Sequence, residues 1–136
     1  MAMTFTAIAK DPVLVTEGTF GMTYKASGAI LAGEAVEAIG TEACQVASQN
    51  HQFEGRHTNA FLGVAGQSAS HGDQVTVYGV GNKVRVRASG SITTGHTVVA
   101  VSKGFFQNSS AKPSGAVQGV ALEAITSNGY GKVLLT

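Results

Sequence analysis

The chain has 136 residues, of which 43% are apolar, with 18 glycines, two prolines, one cysteine and no tryptophan. Only 12% of residues are charged and the formal net charge is +1, against a charged share of roughly 25% in ordinary soluble domains. The length suits one domain with a buried core, the charge balance gives no global attraction to nucleic acid or to a membrane surface, and no run of about 18 apolar residues offers a membrane-spanning helix.

Residues 1–20 form an N-terminal arm with two short apolar runs, at 5–9 and 13–15, on either side of Asp11-Pro12, which favours a turn. The start lacks a basic stretch followed by a continuous apolar one, so no secretory signal is expected. Residues 21–136 are predicted to be a single β domain built by duplication. Residues 26–40 read ASGAILAGEAVEAIG and residues 88–102 read ASGSITTGHTVVAVS. Both fit A-S-G-x-I-x-x-G-x-x-V. A second phrase follows each, FLGVAGQSASHGDQVTV at 61–77 and VQGVALEAITSNGYGKVLL at 117–135. The duplicated units run over 26–77 and 88–135.

In the first phrase Ala26, Gly28 and Ile30 alternate with Ser27, Ala29 and Leu31, Gly33 breaks the strand, and the run at 35–39 resumes it. Period-2 alternation with short glycine gaps predicts a hairpin. Residues 43–47 are a strand or a short helix. Residues 48–60, SQNHQFEGRHTNA, are polar and aperiodic, a main exposed loop. Residues 61–103 are mostly strand, 104–116 a second loop, and Val133-Leu134-Leu135 a closing strand. Gly63 and Gly119 stand where a second backbone passes closely. Matching Val75 with Val133 makes the second gap two residues longer than the first.

Chemistry-bearing patterns are sparse. Lys83, Arg85 and Arg87 alternate with Val84 and Val86, so one strand face is basic and the other apolar. That face is either a solvated surface over a valine core or a basic stripe for an acidic partner. It lacks the interleaved aromatics of a nucleic-acid face. His51, His57, His71 and His96 make no close ligand pair, and three or four ligands at fixed geometry are what zinc needs. His71 and His96 flank glycine turns and are expected exposed. Cys44 reads as a buried small hydrophobe. No G-x-S-x-G elbow occurs, and Gly79-Val80-Gly81 is not followed by a phosphate-binding helix. No catalytic, metal-binding or cofactor-binding residue is assigned. Of Phe105 and Phe106, neighbours on a strand, one can enter the core while the other faces out to anchor a subunit interface; a cluster with both folded under the loop is equally open. The charge-poor surface fits either an assembly protein or a rigid β domain with a hydroxylated coat.

The G-x-I-x-x-G-x-x-V phrase, the later G-V-A strand and their recurrence up to a final apolar strand resemble the small capsid cement, or decoration, proteins of tailed phages. The resemblance covers residues 20–136. The chain departs from that pattern in the 48–60 loop and in the 82–87 ladder. The resemblance implies a compact all-β barrel or sandwich without a catalytic site. It implies a homotrimer, made in the host cytoplasm, that sits on the outer surface of an icosahedral virion and bridges major capsid protein subunits. On that reading the interface residues are Phe5, Ile8 and Val13 of the arm, the ladder Lys83, Arg85 and Arg87, and Phe105. The rival reading is a β ligand-binding module, for example for carbohydrate, although the lack of Trp denies it the usual aromatic platform. A further rival is a small enzyme with a site between protomers, around Cys44 or the histidine loop.

Overall fold

The computed structural model describes residues 21–48, 60–109 and 118–136. Phe5, Ile8, Val13, His51 and His57, together with most of the 48–60 loop, lie outside the described residues. The described part is all β, as the alternation and glycine turns require. The first unit contains β1 (Met22–Ala26), β2 (Ala35–Ala38), β3 (Ala43–Val46), β4 (Phe61–Ala65) and β5 (Gln74–Tyr78). The second contains β6 (Lys83–Arg87), β7 (Thr97–Ala100), β8 (Phe106–Asn108), β9 (Gly119–Ala121) and β10 (Tyr130–Leu135).

The two units share one strand order. The first unit is a closed barrel, β1-β3-β2-β4-β5. The second is a five-stranded sheet, β6-β10-β9-β7-β8, whose end strands approach through one parallel bridge, Ala88 to Phe106. Read around the ring, these are the same order. Equivalent residues do equivalent work. Ala26 and Ala88 are buried, Ile30 and Ile92 each make an isolated antiparallel bridge inside their unit, and Val36 and Val98 are fully buried. Gly33 and Gly95 take φ of 89° and 85°, a region that penalises a Cβ.

The ASG phrase is not a hairpin. β1 pairs with β3 and β5, and β2 pairs with β3 and β4, so β1 and β2 never meet. Gly28 and Gly33 turn the chain twice, and the Ile30 bridge to Ala69 pins the crossing between them. Periodicity reports which residues face inward; it does not report the pairing partner. The β2–β3 and β7–β8 connections are the short hairpins. Residues 43–46 are strand, and β8 lies within the segment expected to be loop.

The GVA phrases are registered differently from the sequence match. Ala65 pairs with Val77 and Ala121 with Val133, so Val77, not Val75, is the counterpart of Val133, and the two gaps are equal. The close backbone approach holds. A Cβ on Gly119 would sit 2.6 Å from the Leu134 carbonyl oxygen, and one on Gly63 would strike the Tyr78 carbonyl.

One apolar cluster fills the first barrel, with Ile30, Val36, Cys44, Val75 and Val77. The other fills the second unit around Phe106, Ile92, Val84, Val86, Val133 and Leu135, and extends to Ala35, Ala47 and Val64 of the first. The two units therefore share apolar contact along a seam. At ~25 cal/mol per Å² of apolar surface, such burial is the main favourable term for sheets this short.

Candidate docking site on the outer face of the second unit

β6 alternates as expected. Val84 and Val86 are fully buried, Lys83 and Arg85 are exposed, and Arg87 is half-buried. The three cations are not equivalent. Arg87 is drawn into the seam, where its Nη1 lies 3.8 Å from Glu34 Oε2. Its guanidinium stacks 4.7 Å from the centre of the Phe105 ring and 5.9 Å from that of Tyr130. The Arg87 amide donates to the Gly33 carbonyl at 3.4 Å. Arg87 thus ties the second unit to the first, and the free part of the ladder is Lys83 and Arg85.

Phe106 is fully buried and meets Phe61 edge-on at 6.3 Å between ring centres. Phe105 is half-buried under Arg87. The pair splits between core and surface, with the outward ring engaged inside the chain.

The antiparallel partner β10 supplies what the sequence reading missed. Its register sets Lys132 opposite Arg85, Tyr130 opposite Arg87 and Leu134 opposite Lys83. Lys132 is exposed, and Glu123 reaches its backbone amide rather than forming an ion pair with its side chain (Lys132 N to Glu123 Oε2, 2.9 Å). Two like charges directly across a ladder cost stability. The alternation of Tyr130, Lys132 and Leu134 was the available signal, hidden by reading Val133-Leu134-Leu135 as an apolar run.

Beside this basic face is a cavity of about 380 Å³ lined by Leu31, Ala32, Ser68, Arg85 and Tyr130. Leu31 and Tyr130 are exposed at 50% and 46%. A mixed surface of cations around exposed apolar side chains suits a protein partner better than a small polar ligand. The charge is segregated along the chain. Residues 21–78 carry Lys25 and Arg56 against Glu34, Glu37, Glu42, Glu54 and Asp73, a net −3. Residues 79–136 carry Lys83, Arg85, Arg87, Lys103, Lys112 and Lys132 against Glu123, a net +5.

The other candidates are structural. Glu37 is fully buried, accepting from Gln45 Nε2 at 2.7 Å, the Ser48 hydroxyl at 2.7 Å and the Ser48 amide at 3.2 Å. Cys44 is buried in the barrel core, and that burial pushes its thiol pKa up, away from thiolate character. His71 and His96 are exposed at turns, and His71 Nδ1 accepts from the Gly28 amide at 3.0 Å. Among the described residues no three of His, Cys, Asp and Glu are grouped to hold a metal ion, and no helix is long and apolar enough to cross a membrane.

No family model matches this chain, and no curated protein matches it. Among solved structures, the fold is similar to one described as the head fiber gp8.5 N base in bacteriophage phi29. The similarity has a TM-score of 0.62 at 18% sequence identity and covers 85% of this chain and 92% of that one.

Proposed function

We propose that this chain is a virion structural protein of a tailed phage, a cement or decoration protein that binds the outside of an icosahedral head and strengthens contacts between major capsid subunits. The observation that carries the reading is the shared fold with a phage head fiber base over most of both chains. The sequence phrases that resemble cement proteins add to it. So does the placement of Lys83, Arg85 and Lys132 on one exposed face beside apolar Leu31 and Tyr130. Such a protein works mechanically. By binding the assembled shell and not its dissociated subunits, it stabilises the shell by mass action. As a homotrimer it engages several docking surfaces together, so weak contacts combine.

The test is sedimentation of the purified chain with undecorated, expanded capsids. Saturable binding with a fixed number of copies per shell supports the reading. A chain that stays in the supernatant at all concentrations removes it. Deletion of residues 1–15 checks the arm: a folded protein that no longer sediments assigns Phe5, Ile8 and Val13 to docking, and wild-type occupancy sinks that assignment.

A further inference from the structure

We infer that the first unit carries a seat for the 93–96 turn of a second copy, so that copies join head to tail; the inference names the contact behind the self-association in the reading above and rests on that part of it. The interface between the two units of one chain supplies the pattern. The 31–34 turn of the first unit is pressed onto the second. The Arg87 amide donates to the Gly33 carbonyl at 3.4 Å, and Glu34 Oε2 lies 3.8 Å from Arg87 Nη1. A Cβ on Gly33 would stand 2.8 Å from the Tyr130 ring and 3.5 Å from the Arg85 carbonyl oxygen, and one on Gly104 would stand 2.8 Å from Glu34 Cβ. Arg87 in turn lies over Phe105. Arg85, Arg87, Gly104, Phe105 and Tyr130 therefore seat the turn.

The duplication gives each of these parts a twin. The bridge from Ile30 to Ala69 answers that from Ile92 to Ile125, and the Ala43 carbonyl accepts from Ile39 as the Phe105 carbonyl accepts from Val101. Lys25 stands opposite Gln74 as Arg87 stands opposite Tyr130. The twins of the five seat residues are Thr23, Lys25, Glu42, Ala43 and Gln74, and all five line one cleft of about 230 Å³ on the first unit. The twin of the turn is Thr93-Thr94-Gly95-His96. Its closing bond runs from the His96 amide to the Thr93 carbonyl at 3.1 Å, as that of the first turn runs from the Glu34 amide to the Leu31 carbonyl at 3.2 Å. Gly33 and Glu34 are buried, whereas all four residues of 93–96 are exposed. One chain thus presents an exposed turn on one unit and an exposed seat on the other, the two halves of a heterologous contact.

Turn and seat match in reversed polarity. Within the chain an acid on the turn, Glu34, meets a base in the seat, Arg87. Between copies the turn brings His96, and the seat offers Glu42 at the position where Gly104 touches Glu34. Glu42 holds the incoming turn farther out than a glycine does, and the Lys25 amide is already bound to the Glu42 carbonyl at 2.7 Å. The contact is therefore made by side chains, imidazole on carboxylate, with Thr93 and Thr94 over the polar lining of Thr41 and Gln74. The net −3 of residues 21–78 and net +5 of residues 79–136 also favour the first unit of one copy against the second unit of the next.

The experiment is disulfide trapping on the full chain in a Cys44→Ala background, free and on expanded capsids. One preparation carries His96→Cys and the other Glu42→Cys, with tags of different length; the two are mixed and oxidised. The expected product is the mixed dimer, with neither preparation linking to itself. Light scattering gives a second readout. Glu42→Lys should weaken self-association about tenfold or more, the loss of a close charge pair and the gain of a repulsion, and His96→Glu added to it should restore association. Self-linked dimers without the mixed one, no dimer either free or on capsids, or a double variant as weak as Glu42→Lys alone overturns the proposal. Capsid binding without the mixed dimer overturns the head-to-tail contact and leaves the capsid-docking reading standing. The mixed dimer with no capsid binding keeps the contact and overturns the capsid reading.

Discussion

Replacing Arg87 with methionine keeps the aliphatic stem that packs in the seam and removes the guanidinium. Three contacts go with it: the rings of Phe105 and Tyr130, at 4.7 and 5.9 Å from the guanidinium carbon, and the carboxylate of Glu34 at 3.8 Å. Each ring contact stabilises by about 0.5–1 kcal/mol. The ion pair joins side chains that are 26% and 11% exposed, so it adds about 1 kcal/mol, at the upper end for pairs near a surface. Part of this is offset because the Arg87 Nε is buried without a hydrogen-bond partner among the described residues. The net expectation for Arg87→Met is a loss of about 2 kcal/mol. For a chain of this length that is a fall in Tm of about 8 °C. Circular dichroism melts at fixed protein concentration measure it. A double-mutant cycle with Glu34→Gln should return a coupling of about 0.5–1 kcal/mol. A Tm unchanged within about 2 °C, with no coupling, would refute the assignment of Arg87 to the seam and return it to the docking face.

Other expectations follow from the same contacts. Gly119→Ala should destabilise by about 3 kcal/mol in urea unfolding, because its Cβ meets the Leu134 carbonyl and the Val133 side chain at 2.6 and 2.7 Å; a cost under about 0.5 kcal/mol contradicts the close approach. The Cys44 thiol should resist a thiol reagent in the native state and react only on unfolding. Burial raises its folded pKa, so its contribution to stability is full below the ordinary thiol pKa of about 8.5 and is lost as pH rises above it; Cys44→Ala should flatten that alkaline decline, and an unchanged slope counts against the burial effect. Arg85→Glu with Lys132→Glu should leave Tm within about 3 °C, since both side chains are exposed and repel like neighbours, yet prevent sedimentation with capsids; wild-type sedimentation removes these residues from the docking face.

The sequence disclosed what is local and repeated. The alternation of 82–87 placed Val84 and Val86 inward and Lys83 and Arg85 outward, as found. The recurring glycines marked real turns and one backbone approach in each unit. The burial of Cys44 also followed from local pattern, whereas local pattern left Phe105 and Phe106 open between a core–surface split and a buried cluster. What was not legible is non-local. The pairing of β1 with β3 and β5, rather than with β2, depends on how a five-stranded ring closes. Arg87 resembled its two ladder neighbours until Glu34, Phe105 and Tyr130 were brought to it from three other places in the chain. Lys132 became part of the basic face only through the β6–β10 register. The alignment of Val133 with Val75 failed because similar apolar alternation lets a strand slide by two residues without changing which face is buried.

The most direct test of capsid docking through the second unit is quantitative sedimentation of the chain with expanded capsids, run beside Arg85→Glu/Lys132→Glu. The expected result is saturable wild-type binding that the charge reversal abolishes while the variant remains folded. Failure of the wild type to bind would contradict the proposed function, and equal binding by the two proteins would contradict the assigned face.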